Sequence, residues 1–198
     1  PSLWAHEQTV TLQVTNGSNG QAFSGDFFSI PTTLLRLRSY WDLDRGTYLD
    51  LGLTGVFGFN HGEGMPSTEE AAATPLVDEA RRWTAFGGAD LTLAWEPPNR
   101  SHYAGLTWRT EFLYGYKQVP GDLHIAWMGG YTALDAKIGQ GWFVGARGEL
   151  AQPFTLDNAG HYLWQAAPYV SWWPSEFVRL HLEYNAVDGD LRTLEHRV

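Results

Sequence analysis

Trp172-Trp173-Pro174-Ser175-Glu176-Phe177 runs directly into Val178-Arg179-Leu180-His181-Leu182-Glu183-Tyr184-Asn185. In the second stretch Val178, Leu180, Leu182 and Tyr184 alternate with Arg179, His181, Glu183 and Asn185. Successive side chains of a strand point to opposite faces, so this period-two pattern predicts a strand with one apolar and one polar face. The polar face carries full charges, and aromatics flank the turn. That pairing is expected of a strand crossing a membrane as part of a β-barrel, with lipid on one side and water on the other.

The unit recurs upstream. Thr9–Thr15 reads as a first strand, and in 34–43 Arg36 and Arg38 stand opposite Leu35 and Leu37. Leu49, Leu51, Leu53, Gly55, Phe57 and Phe59 face away from Asp50, Gly52 and Thr54. Ala89, Leu91, Leu93 and Trp95 oppose Asp90 and Thr92, and Leu106, Trp108, Phe112 and Tyr114 oppose Arg109 and Glu111. A sixth strand, 123–137, has a blurred pattern. Trp142, Val144, Ala146, Gly148 and Leu150 oppose Arg147 and Glu149. Strands over 162–173 and 178–187 follow, and a tenth is expected to begin near Arg192.

The connections alternate in length. Long ones at 16–32 and 60–84, and moderate ones at 118–122, 152–160 and 188–192, separate compact turns near 44–47, 97–102, 139–141 and 174–177. Short turns on one side and longer loops on the other are the habit of outer-membrane barrels. Aromatics crowd the compact turns: Tyr40, Trp41, Tyr48, Trp95, Tyr103, Trp142, Phe143, Trp172, Trp173 and Phe177. Trp and Tyr favour a lipid–water boundary because one end is apolar and the other can hydrogen-bond. One girdle at the turn side is therefore expected.

Composition narrows the alternatives. A chain of 198 residues suits a single domain over 1–198. A mean hydropathy of -0.29 and the lack of a long apolar run exclude a membrane-spanning helix, but not strands of about ten alternating residues. Zero Cys argues against a disulfide scaffold, a thiolate zinc site or a thiol enzyme. A formal net charge of -9, with no basic run, argues against a nucleic-acid partner. Pro1-Ser2-Leu3-Trp4 has neither the basic nor the apolar region of a signal peptide, and the chain is expected to be a segment of a longer one.

The charges select the candidate site. On a lipid-facing surface each would cost about 2–4 kcal/mol at mid-depth. Arg36, Arg38, Asp50, Asp90, Arg109, Glu111, Arg147, Glu149, Arg179, His181 and Glu183 are therefore expected to face the lumen. They either contact solutes or fill the lumen as a ladder of opposite charges, and the mixed signs of Arg109/Glu111, Arg147/Glu149 and Arg179/Glu183 favour filling. His61 and Glu63 are the best candidates for a metal, but no HExxH spacing exists and no metal or other cofactor is expected. No GxSxG elbow, P-loop or dinucleotide fingerprint is present, so no catalytic residue is expected.

The segments TYLDLGLTGVFGFN (47–60), GADLTLAWEPP (88–98), GLTWRTEFLYGY (105–116), GWFVGARGEL (141–150) and WWPSEFVRLHLEYN (172–185) resemble the C-terminal barrel half of a group of bacterial outer-membrane proteins. Members are sometimes labelled zinc-regulated, TonB-dependent-receptor-like proteins. The resemblance runs from about Thr9 to Asn185, and the WPSEF turn is its most specific part. It implies an antiparallel transmembrane β-barrel in a Gram-negative outer membrane. About ten strands would lie in this segment, as part of a larger barrel. Its surroundings would be lipid and lipopolysaccharide, its cargo a small polar solute passed or captured, with envelope proteins as further partners. It supplies no catalytic residues, and without a His cluster the loops give the zinc label little to act on. The alternatives are a structural barrel anchoring a surface complex, and a soluble secreted β-sandwich or lipocalin-like binder whose apolar faces point inward. A lipid hydrolase would need a Ser or Thr hydroxyl paired with His at the barrel wall.

Overall fold

A computed structural model describes residues 7–16, 22–23, 31–60, 82–121, 123–156, 158 and 161–189. Within them the chain forms one antiparallel sheet of ten strands. These are β1 (Glu7–Thr15), β2 (Thr32–Asp44), β3 (Thr47–Asn60), β4 (Arg82–Trp95) and β5 (Gly105–Val119). They continue as β6 (Leu123–Gly139), β7 (Trp142–Ala151), β8 (Leu163–Ser175), β9 (Val178–Glu183) and β10 (Ala186–Gly189). Each strand pairs with its predecessor, apart from β10, which pairs with β8. The β8–β9 register runs through Val170↔Leu182 and Tyr169↔Glu183, and the β8–β10 register continues it at Ala166↔Ala186. Tyr184 bridges the break by donating its N–H to Pro168 O at 3.1 Å. β9 and β10 are thus two pieces of one interrupted strand, matching the single strand expected over 178–187, and the sheet is nine strands wide. No pairing joins β1 to β9 or β10 among the described residues, so the sheet is open. The expected tenth strand near Arg192, and the His61/Glu63 pair, lie outside the described residues.

Two expectations about the connections need correction. The link between β5 and β6 is only residues 120–122, and the one between β4 and β5 spans 96–104. The contrast between short and long ends therefore rests on the turns at 45–46, 140–141 and 176–177 against the links 16–31, 61–81 and 152–162. The short turns have local causes. Asp44 Oδ1 accepts from Gly46 N at 2.8 Å, which, with help from Thr47, holds its carboxyl below the usual carboxylate range. Gly141 sits at φ 79°, where a side chain would be strained and would also strike Trp173 O.

The two faces of the sheet differ sharply. On one, Val10 is 68% exposed, Leu53 48%, Phe112 51% and Leu182 73%, so large apolar side chains stand uncovered along the whole width. The buried apolar residues Ala94, Val119, Ile125, Ala133 and Ala167 project from the other face, the one that bears the charges. A soluble sheet buries its apolar face against a second layer. Here the principal contacts run only between neighbouring strands, so the described residues provide no such layer.

Cover over the charged face comes from the long-link end. The Phe23 ring lies tilted 5.1 Å from Phe86, Phe86 lies 5.2 Å from Trp127, and Trp127 5.6 Å from Phe154. Gly58 and Gly115 make this aromatic row possible, since a Cβ at either would run into Phe23 or Trp127. Thr84 Oγ1 donates to Ala22 O at 2.8 Å, and Asn158 Nδ2 donates to Ala126 O, tying both covering segments to the sheet.

Candidate functional site

Register puts every expected lumen residue on one face. Arg36, Arg38, Asp50, Asp90, Arg109, Glu111, Arg147, Glu149, Arg179, His181 and Glu183 share it because antiparallel partners point the same way. They fall into two groups. In the first, Arg38 binds Asp50 with both Nε and Nη2, and Arg36 reaches over β3 to Asp90 at 2.9 Å. Gly52 lies between them, and a Cβ there would fall against the Asp90 carboxylate. Arg36 Nη1 also donates to Thr54 Oγ1 at 2.8 Å.

The second group lines a groove of about 410 Å³ bounded by Arg109, Tyr131, Ala133, Arg147, Glu149, Tyr169, Arg179, His181 and Glu183. Its floor follows from one row of cross-strand partners, Arg109↔Ala133↔Arg147↔Ala167. Arginines on alternate strands stand about 10 Å apart, with Ala133 between them and Ala167 beyond Arg147. Arg147 Nε lies 2.8 Å from Glu149 Oε1. Arg109 does not pair with Glu111, as the mixed signs along β5 suggested, but with Asp135 on β6. Asp135 also accepts from Tyr169 OH, which crosses β7 above Gly145. Glu111 stands between the two groups with no hydrogen-bond or ion-pair partner among the described residues.

The charges of β9 are arranged differently. Arg179 does not meet Glu183, because His181 stands between them. His181 Nε2 lies 3.4 Å from Glu183 Oε2, and Nδ1 lies 2.6 Å from Ser171 Oγ. Arg179 Nη2 donates to Ser171 Oγ at 3.1 Å and approaches His181 Nδ1 at 3.2 Å. The network assigns Nδ1 as an acceptor and Nε2 as the protonated nitrogen facing the carboxylate. The Arg179 guanidinium lies over the Trp173 ring, 5.4 Å from its centroid.

Asp135, Tyr169 and Ser171 were not legible as site residues. β6 looked blurred because its apolar face carries Gly130, Thr132 and Ala136, which hide the alternation that puts Asp135 in frame with Tyr131 and Ala133. A hydroxyl–imidazole–carboxylate line, Ser171–His181–Glu183, is also present, and no sequence motif signals it. Ser171 is 1% exposed, however, and its Oγ is already engaged by Arg179 and His181. The line ties His181 and Arg179 to β8. Among the described residues no three His, Asp or Glu side chains converge to hold a metal ion.

The expected aromatic girdle needs correction as well. Trp41, Trp95, Trp142 and Trp172 do lie on the apolar face near the short turns, with Trp142 and Trp172 stacked at 5.6 Å. Their neighbours Tyr40, Tyr48, Phe143 and Trp173 point to the charged face, as period-two geometry requires. A second set occupies the opposite end of the apolar face. Phe57 and Phe59 adjoin each other, Phe57 lies 6.3 Å from Trp83, Trp83 stacks on Tyr116 at 4.6 Å, and Tyr116 on His124 at 5.2 Å. The sequence pattern did not single it out because these aromatics are spread over the ends of β3, β4, β5 and β6 rather than clustering at a compact turn.

No protein-family model matches the chain, and neither a curated protein nor a solved structure resembles it at a significant level.

Proposed function

We propose that this sheet is a sector of the wall of a bacterial outer-membrane β-barrel whose lumen passes or captures small polar solutes. The observation that carries the reading is the inverted exposure of the two faces, apolar outside and bare, charged inside and partly covered. Two aromatic girdles bound the apolar face. From Trp83 to Trp95 is twelve residue steps along β4, about 40 Å at about 3.3 Å per residue. At a tilt of about 45° that projects to about 28 Å, close to the apolar band of about 25 Å in such barrels. Open sheet edges have no place in lipid, so in the complete wall β1 and the β9/β10 strand would each gain a partner. Surrounding lipid and lipopolysaccharide would cover the apolar face.

The Phe23–Phe86–Trp127–Phe154 row covers the long-link end of the charged face, and none of its members lines the groove. This arrangement favours capture in the groove over free diffusion. It also gives the structural reading, a filled barrel anchoring a surface complex, a specific basis. A soluble sandwich would need a second layer over Val10, Leu53 and Leu182, and none is available among the described residues. The resemblance to TonB-dependent-receptor-like proteins gains no support from the comparisons, so the proposal rests on the geometry of the faces.

Expression behind a secretion signal in a Gram-negative host tests it. The protein is expected in the outer-membrane fraction, with a gel mobility that changes on boiling, and to conduct small ions in planar bilayers. A detergent-independent soluble protein with one mobility would overturn it.

A further inference from the structure

We infer that the groove around Arg179 is a binding station for small oxyanions, which deepens the lumen reading and rests on it. Four arginines on the charged face are neutralised: Arg36 by Asp90, Arg38 by Asp50, Arg109 by Asp135 and Arg147 by Glu149. Arg179 has no carboxylate partner among the described residues. The carboxylate on its own strand, Glu183, is held instead by His181 Nε2. The guanidinium uses Nη2 on Ser171 and His181, and neither Nη1 nor Nε has a protein partner among the described residues.

The charge is nevertheless held in place. Trp173 supports one face of the guanidinium, and Ser171, itself buried, fixes its edge. A planar cation whose orientation is set beforehand loses little freedom when it takes up a carboxylate or phosphate oxygen. The space for such a group is built as well. Ala133 forms a low floor between Arg109 and Arg147, Ala167 follows on the far side of Arg147, and the groove of about 410 Å³ admits a small solute. Arginine-lined lumens are a general means of selecting anions, and within a lumen an unpaired guanidinium is the position where an anion gains most.

Titration calorimetry on the full chain in detergent micelles tests this, with inorganic phosphate and acetate as separate probes and potassium chloride as the control. Saturable heat is expected with at least one oxyanion, and which one responds separates a phosphate-bearing solute from a carboxylate. Arg179→Gln is expected to weaken that affinity at least tenfold, while Arg100→Gln, exposed in the 96–104 link, leaves it unchanged. Both variants are first required to keep the boiling-dependent gel shift, so failure of the station is read separately from failure of the barrel. Wild-type binding of neither probe would overturn the inference, as would equal losses in the two variants.

Discussion

Leu91→Arg is expected to lower stability by about 2–4 kcal/mol. Leu91 sits mid-strand in β4, between Leu51 and Thr110, on the apolar face. If that face meets lipid, a guanidinium there must stay in hydrocarbon or bend toward a distant boundary. The neighbouring position on the opposite face gives the contrast. Thr92, between Asp50 and Arg109, points to the charged side, and Thr92→Arg is expected to cost less than 1 kcal/mol, in keeping with a wet lumen. Urea titration of the boiling-sensitive gel species in lipid vesicles reads both. Equal small effects would place Leu91 in water and remove the basis for a membrane wall.

Trp127→Ala is expected to cost about 3–5 kcal/mol, the usual range for deleting a large packed aromatic. Trp127 holds the centre of the ring row between Phe86 and Phe154 and lies flat over Gly115. Its Nε1 is buried without a hydrogen-bond partner among the described residues. Trp127→Phe keeps most of the packing and removes that unsatisfied donor, so it is expected to cost much less than alanine. Removal of the indole also opens the covered end of the charged face. In planar bilayers Trp127→Ala is therefore expected to raise conductance severalfold where it remains folded, and Trp127→Phe to leave it near wild type. No change in conductance from the alanine variant would show that the row does not close the lumen.

The strands were legible because their alternation is nearly uninterrupted. Val178 to Tyr184 alternate without a break, and Leu49 to Phe59 depart from the pattern only at Gly55 on the apolar face and Val56 on the other. Everything that depends on register was less legible. Whether Arg109 meets Glu111 two residues away or Asp135 across the ladder is decided by strand pairing. Likewise, the reach of Arg36 over β3 depends on Gly52 standing opposite Arg38, which only the ladder reveals. The covering row was hidden for a third reason. Phe23 and Phe154 lie in irregular links, and contacts between a link and a strand leave no periodic trace in a sequence.

The chain has no cysteine, so single cysteines can be introduced one at a time along β5, from Leu106 to Gln118, and labelled with a fluorophore in vesicles containing brominated lipid. Strong quenching is expected at Leu106, Trp108, Thr110 and Phe112, and weak quenching at Thr107, Arg109, Glu111 and Leu113, in strict alternation. Uniformly weak quenching, or quenching on the Arg109 and Glu111 face, would contradict the assignment of the apolar face to lipid.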